Sequence, residues 1–388
     1  MKKRILALAV SACSLLLAVP AFSGCSSETY IEYTLYDSEG AEVETYHVSE
    51  DPSTDEAAAE AEGVEYTEPS VEAEDGYYFA VTGYSGRPKN VVIPSEYGGV
   101  PVTQIGEQAF AGADYLISVS MTDSITYIAP VAFFYCVSLK DVTLSNSLTE
   151  INYSTFAWCY SLEEIVIPDG VTSIGNMCFY GDDELVSVTL PDSVTSIGIS
   201  CFYECYGLES IDLPDNLITI GQQAFYSCTA LNNVVIPDSV EEIRDYAFVD
   251  CTALTDITIG SGVKIIGEYA FYYCTALESI TLPADLEFIG AYAFYSCSAL
   301  TDVYLTNTFS DGSSKQCRLY SADLSDYELE VGDETAESTY LYTSYNYYND
   351  GLTANSGYIP SNGLTDSEEI ASLLTDDLLT VYWYFVKK

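Results

Sequence analysis

The chain has 388 residues, of which 48% are apolar, so it has enough material for a sizeable core and for two or three domains. Acidic residues outnumber basic ones 59 to 12, giving a formal net charge of −47. Such a surface repels phosphate backbones and anionic lipid headgroups, which argues against nucleic acid as a partner and against direct adsorption to a membrane.

The first residues read as a targeting segment. Lys2, Lys3 and Arg4 precede an apolar stretch, Ile5 to Val19, that is short for a membrane span. Phe22-Ser23-Gly24-Cys25 follows and resembles the lipobox of bacterial lipoproteins, with Phe22 where Leu is usual. The resemblance implies cleavage after residue 24, lipid attachment at Cys25 and stable anchoring through more than one acyl chain. The alternative is an ordinary secretory signal with Cys25 unmodified. In either case the expected location is outside the cytoplasm.

Residues 25–75 are expected to tether and space. Tyr30, Tyr33, Leu35, Val43, Tyr46 and Val48 alternate around Asp37-Ser38-Glu39-Gly40, a pattern that fits a hairpin over 28–48 or a stalk-like coil. Asp51 to Asp75 is rich in Asp, Glu, Ala, Ser and Pro and buries too little to offset its ordering entropy, so it reads as an acidic spacer.

The middle of the chain repeats every 23 residues. Phe recurs at Phe110, Phe133, Phe156, Phe179, Phe202, Phe225, Phe248, Phe271 and Phe294. Leu follows six residues later, Val or Ile nine later, a further aliphatic eleven later, and Ile eighteen later from Ile128 to Ile289. One copy cannot bury its own apolar flanks; stacked copies align each column into a ladder and share backbone hydrogen bonds. Leu208-Glu209-Ser210-Ile211-Asp212-Leu213 puts Ile211 and Leu213 on one face of a short strand, and Pro214 ends it. Pro168, Pro191, Pro237 and Pro283 recur there, with Pro-Asp turn chemistry. Gly175, Gly198, Gly221, Gly267 and Gly290 suit a tight bend with positive φ. The stretch holding Ala224-Phe225 returns the chain as a turn or short helix.

These residues resemble the BspA-type leucine-rich repeat of bacterial surface proteins. Leu208 to Cys228 and Leu231 to Cys251 follow the pattern nearly letter for letter, and Val91 to Gly106 resembles that family's first repeat. The resemblance implies a β-rich solenoid over 76–309 with N- and C-terminal caps. It also implies surface display and adhesion to a host matrix or plasma protein, such as fibronectin or fibrinogen, or to another cell. Ala113 and Asp182 stand where Cys is usual, and Arg244 where Gly is usual; they predict local irregularity only.

Seven cysteines (Cys136, Cys159, Cys205, Cys228, Cys251, Cys274 and Cys297) lie three residues after the Phe and are expected to be buried free thiols, as are Cys178 and Cys201. No paired CxxC occurs and His47 is the one histidine, so neither a metal site nor a Ser/His/Asp or Cys/His arrangement is expected. The chain reads as a binding protein without cofactor, not as an enzyme.

Two surfaces are candidates. The first is the outward strand face, small, polar and acidic, with Asp141, Glu164, Asp212, Asp256, Asp302 and Tyr304. The second is an aromatic flank: Tyr180, Tyr203, Tyr226, Tyr272 and Tyr295 follow the Phe by one, and Tyr246, Tyr269 and Tyr292 precede it by two. Tyrosine gives contact area at low entropy cost and suits recognition of protein or sugar; alternatively, stacking between copies only stiffens the rod. Residues 310–388 break the period and read as a C-terminal cap or a small Tyr-rich module.

Overall fold

The computed structural model describes residues 30–49, 76–283, 286, 288–290 and 292–300, together with the backbone of strands Asp302–Thr306, Gln316–Cys317, Tyr340–Tyr342 and Tyr384–Val386. The signal, Cys25, the acidic spacer and most of 310–388 lie outside these residues.

The described residues open with a cap. β1 (Tyr30–Tyr36) and β2 (Glu42–Ser49) form an antiparallel hairpin, closed where two backbone N–H groups donate to the Asp37 side chain. β1 also pairs antiparallel with β3 (Tyr78–Ser85), which runs parallel to the strand Val100–Ile105. The hairpin therefore extends the first turn of the solenoid sideways. Tyr33, Phe79 and Tyr97 pack edge-on and face-on at 5.5–6.3 Å, giving the cap its own aromatic core. Tyr84 lies parallel to Phe110 at 6.1 Å, so the cap supplies the first ring of the phenylalanine stack.

Each later rung has three sides. One is a parallel strand ladder that begins with β4 (Asn90–Ile93), Ser118–Met121 and Asp141–Thr143 and continues from Glu164–Val166 to Asp302–Thr306. Its register steps by one repeat, as in Glu164 opposite Ser187 and Asn233 opposite Asp256. The second is a ladder of two-residue strands, from Glu150–Ile151 through Phe288–Ile289. Between the two, N–H groups of Val171, Val194, Leu217 and Val240 donate to the carbonyls of Pro168, Pro191, Pro214 and Pro237, the tight turn that Pro initiates.

The third side is no helix. Every rung holds two left-handed residues flanking the Phe by two positions, such as Ser200 (φ 52°) and Glu204 (φ 58°) around Phe202. Two such reversals in five residues forbid a right-handed helical turn. They aim alternate N–H groups at the next rung instead: Ser200, Phe202 and Glu204 donate to the carbonyls of Gln222, Ala224 and Tyr226 at 2.7–2.9 Å. The return is thus a third ladder of inter-rung hydrogen bonds.

The glycine column has a different cause from a positive φ: Gly175, Gly198, Gly221, Gly267 and Gly290 do not adopt one. A Cβ on Gly221 would stand 2.4 Å from the backbone carbon of Gly198, one rung earlier. Glycine is there because successive rungs touch backbone to backbone.

The core is continuous. Phe110 through Phe271 are completely buried, and neighbouring rings from Phe110 to Phe294 stack at 5.0–5.8 Å within 12° of parallel. The nine cysteines of the rungs, from Cys136 to Cys297, are free and buried. Each of the seven in the main column donates its thiol to the carbonyl of the preceding rung's Phe, at 3.0–3.3 Å. Most of these carbonyls already accept the N–H three residues on in their own rung, such as Cys205 N–H on Phe202. The thiol of the next rung adds a second, weak donor from a side chain small enough for the buried slot.

Candidate binding surfaces

The strand face projects two columns outward. Asp141, Glu164 and Asp256 are exposed in the first, beside Ser187, Ser210 and Asn233. Asp212 is exposed in the second, two residues on in each rung, with Thr143, Thr189 and Thr258. For Asp302 and Tyr304 the backbone alone is described, and it places them in register with Ser279 and Thr281. Three apolar residues in the second column were not singled out from the sequence: Val92, Val166 and Val235 are 71%, 63% and 60% exposed. The strand alternation predicts them, because they take the outward slot that Thr fills in other rungs. The face is therefore a β-branched stripe beside an acidic one, with Lys140 paired to Glu163 at 3.5 Å on its border.

On the flank, Tyr180, Tyr203 and Tyr226 stack face to face at 4.7 and 4.5 Å. Tyr272 and Tyr295 resume the column at 5.6 Å after Val249 interrupts it. Tyr246, Tyr269 and Tyr292 stack at 5.0 Å in the other column, and Tyr269 and Tyr292 meet Tyr272 and Tyr295 edge-on. The eight rings close on one another: seven are half-buried and Tyr203 is 6% exposed. Burial, and then the neighbouring phenols, push Tyr203 and Tyr269 upward, so both remain neutral hydroxyls. The aromatic rings that reach solvent on this side are Tyr135, Tyr206 and Tyr273, two or four residues after the Phe.

Asp182 holds the cysteine position of its rung and is fully buried. Its Oδ1 accepts the Cys159 N–H at 2.8 Å, while Oδ2 has no hydrogen-bond partner. Burial, reinforced by Cys159, pushes its carboxyl well above the usual carboxylate range. Asp238, in an exposed turn, behaves otherwise: it accepts the Ser261 N–H at 2.6 Å and is held below that range. His47 stacks on Tyr30 at 4.2 Å and faces Glu32 at 3.4 Å in the exposed hairpin. Among the described residues no His, Cys, Asp and Glu group is arranged to hold a metal ion, and no helix is long and apolar enough to cross a membrane.

The model of the BspA type leucine rich repeat region matches six copies, over residues 87–209 and 195–324. No curated protein matches the sequence. Among solved structures, a leucine-rich repeat protein of T. pallidum is 31% identical; the match covers 49% of this chain and 88% of that one, with a TM-score of 0.44. One from Bacteroides ovatus is 25% identical, over 61% and 86% of the two chains, with a TM-score of 0.29. A leucine rich cell surface protein of Faecalibacterium prausnitzii is 24% identical, over 64% and 97%, with a TM-score of 0.29. The matched repeats span well over half of the sequence and coincide with the stacked rungs, so the chain belongs to the BspA-type leucine-rich-repeat family.

Proposed function

We propose that the protein is exported, tethered by lipid at Cys25, and uses its solenoid to bind another protein, in the manner of an adhesin. The strand face carries this reading. It keeps Val166 and Val235 more than half exposed in one column, with Thr143, Thr189, Asp212 and Thr258 in its other slots and Glu164 and Asp256 in the column alongside. Isolated exposed valines are ordinary, but a column of β-branched side chains held in register is a surface preformed for contact at little ordering cost. The net charge of −47 favours a basic partner and fast encounter with it.

The chain beginning at Cys25, immobilised and exposed to matrix and plasma proteins, is expected to retain at least one at micromolar concentration or below. Val166→Lys with Val235→Lys should abolish retention by opposing a basic partner and leave the melting temperature nearly unchanged. Retention by none of the proteins, or equal retention by the double variant, contradicts the reading. Metabolic labelling with a fatty acid tests the tether: Cys25→Ala should lose the label.

A passive spacer is the second reading, favoured by the way the tyrosine ladders close on themselves. Changing Tyr246, Tyr269 and Tyr292 to Ser together separates the two. Lost stability with unchanged attachment makes that flank a stiffener; lost attachment with intact folding makes it a binding face. A carbohydrate array run in parallel tests sugar as the ligand.

A further inference from the structure

The repeat is least regular on the flank of the rungs from Phe133 to Phe202, and its departures meet at one place. Two residues after the Phe, later rungs carry Ser227, Asp250, Tyr273 and Ser296, one aromatic among small or acidic residues; here the column reads Tyr135, Trp158, Gly181 and Glu204, with two aromatics and a glycine in succession. Four residues after the Phe, later rungs carry Thr229, Thr252, Thr275 and Ser298; here it reads Val137, Tyr160, Asp183 and Tyr206. Stacking alone does not require these changes, because the later rungs stack as closely without them.

With rungs spaced ~4.8 Å apart, the columns build a niche. Its floor is the middle rung, where Gly181 (φ 74°) has no side chain and Trp158 lies across its backbone: ring carbons Cε3 and Cζ3 sit 2.5 and 2.6 Å from where a Cβ would stand. Tyr160 meets Trp158 edge-on at 5.9 Å on one side. On the other side Tyr206 and Glu204 lie close enough for each to shift the other's ionisation. Asp183 projects from the middle rung, one position from each tyrosine in its column, and is exposed.

The niche has excess negative charge. Asp183 and Glu204 are raised above the usual carboxylate range, by partial burial first and then by Glu184 and Asp183 respectively. Tyr206 is pushed up to about 12, by burial and then by Glu204 and Asp183. Among the described residues no lysine or arginine pairs with either carboxylate; Lys140, Arg244 and Lys264 pair with Glu163, Glu242 and Glu241.

We propose that this niche receives the cationic end of a lysine or arginine side chain carried by a protein partner. Aromatic faces attract a cation through their quadrupole, and the carboxylates complete its hydrogen bonding. The proposal rests on the protein-binding reading and gives it a chemistry and a second contact point. One exposed cation site is weak alone, so it contributes selectivity inside a larger interface and favours basic partners.

The test uses the full chain with Trp383→Phe, which leaves Trp158 as the single tryptophan. The probe is an acetylated, amidated Gly-Arg-Gly-Arg-Gly peptide, compared with the same peptide carrying citrulline, which keeps the shape and removes the charge. The arginine peptide should change Trp158 fluorescence saturably, and the citrulline peptide should not. Asp183→Asn with Glu204→Gln should weaken the response about tenfold, in keeping with loss of the anionic part of such a site. Equal responses to the two peptides overturn the proposal without relying on any variant, and so does an unchanged affinity in a double variant that melts like the parent. Matrix-protein retention read on the same samples separates the two readings. Retention with an unresponsive niche removes the niche and keeps adhesion; a responsive niche with no protein retained does the reverse.

Discussion

Phe202 and Tyr203 are adjacent in sequence and belong to two parallel stacks, one inside the solenoid and one on its flank. The inner stack runs from Phe110 to Phe294 without a break, through Tyr84 of the cap at its start. The outer stack has tighter spacing at Tyr180, Tyr203 and Tyr226 yet stops at Val249 and starts again at Tyr272. Geometry of stacking therefore does not decide which column is obligatory; the number of sides from which water is excluded does. Replacing Phe202 leaves a void walled by Phe179 and Phe225 with no solvent to fill it, whereas the flank can reclose or hydrate.

The largest expected effect follows directly. Phe202→Ala should cost about 3–5 kcal/mol in urea unfolding, the range for large aromatic truncation in a close-packed interior. Coupling between rungs means that the loss should appear as a lower midpoint for the whole transition. A cost under about 1 kcal/mol would show that the rungs relax independently and that the inner stack is no better supported than the outer one.

Gly221→Ala comes next. The added methyl would stand 2.4 Å from the backbone of Gly198, and backbone at both ends of the contact cannot move aside without parting two rungs. A cost of about 1–3 kcal/mol is expected, as for overpacking elsewhere. This test also marks where sequence reasoning reached its limit. The period, the core columns and the proline turns were legible, since each depends on residues within one copy. The reasons for glycine and cysteine were not, since both lie in the contact between copies: Gly221 against Gly198, and the Cys228 thiol against the Phe202 carbonyl 26 residues earlier. Of the turn or short helix expected for the return, the turn is what forms, because alternate N–H groups of this stretch serve the next rung. Val166 and Val235 were missed by looking for polar outward residues, and the niche around Gly181 because alignment of copies rewards sameness and the niche is made of differences.

Asp182 sharpens the contrast between rungs, since it replaces the thiol that the other rungs use. Its folded pKa is raised, so the folded state binds the proton more tightly than the unfolded chain. Stability from this group is full below the unfolded pKa of about 4 and falls as pH rises from there toward the folded value. Asp182→Asn keeps an oxygen for the Cys159 N–H and removes the titration. The variant should be the more stable of the two by about 1–3 kcal/mol at pH 7, the scale of an unsatisfied buried polar group, with the difference shrinking toward pH 4. A difference that grows on acidification would mean that the carboxylate is ionised in the fold and partnered.

The smallest effect is expected on the outer stack itself. Tyr203→Leu keeps an apolar side chain of adequate size against Tyr180 and Tyr226 and removes the ring-on-ring contacts at 4.7 and 4.5 Å. The loss should be about 1 kcal/mol, the increment of aromatic pairing beyond area, because the solenoid already tolerates an aliphatic residue at Val249 in the same column. Urea midpoints for Tyr203→Leu and Phe202→Leu, measured side by side, compare flank with core at neighbouring positions. A clearly larger loss at Phe202 leaves the tyrosines available for contact with a partner; equal losses would make the flank a second structural spine and leave the strand face and the niche as the surfaces with side chains to spare.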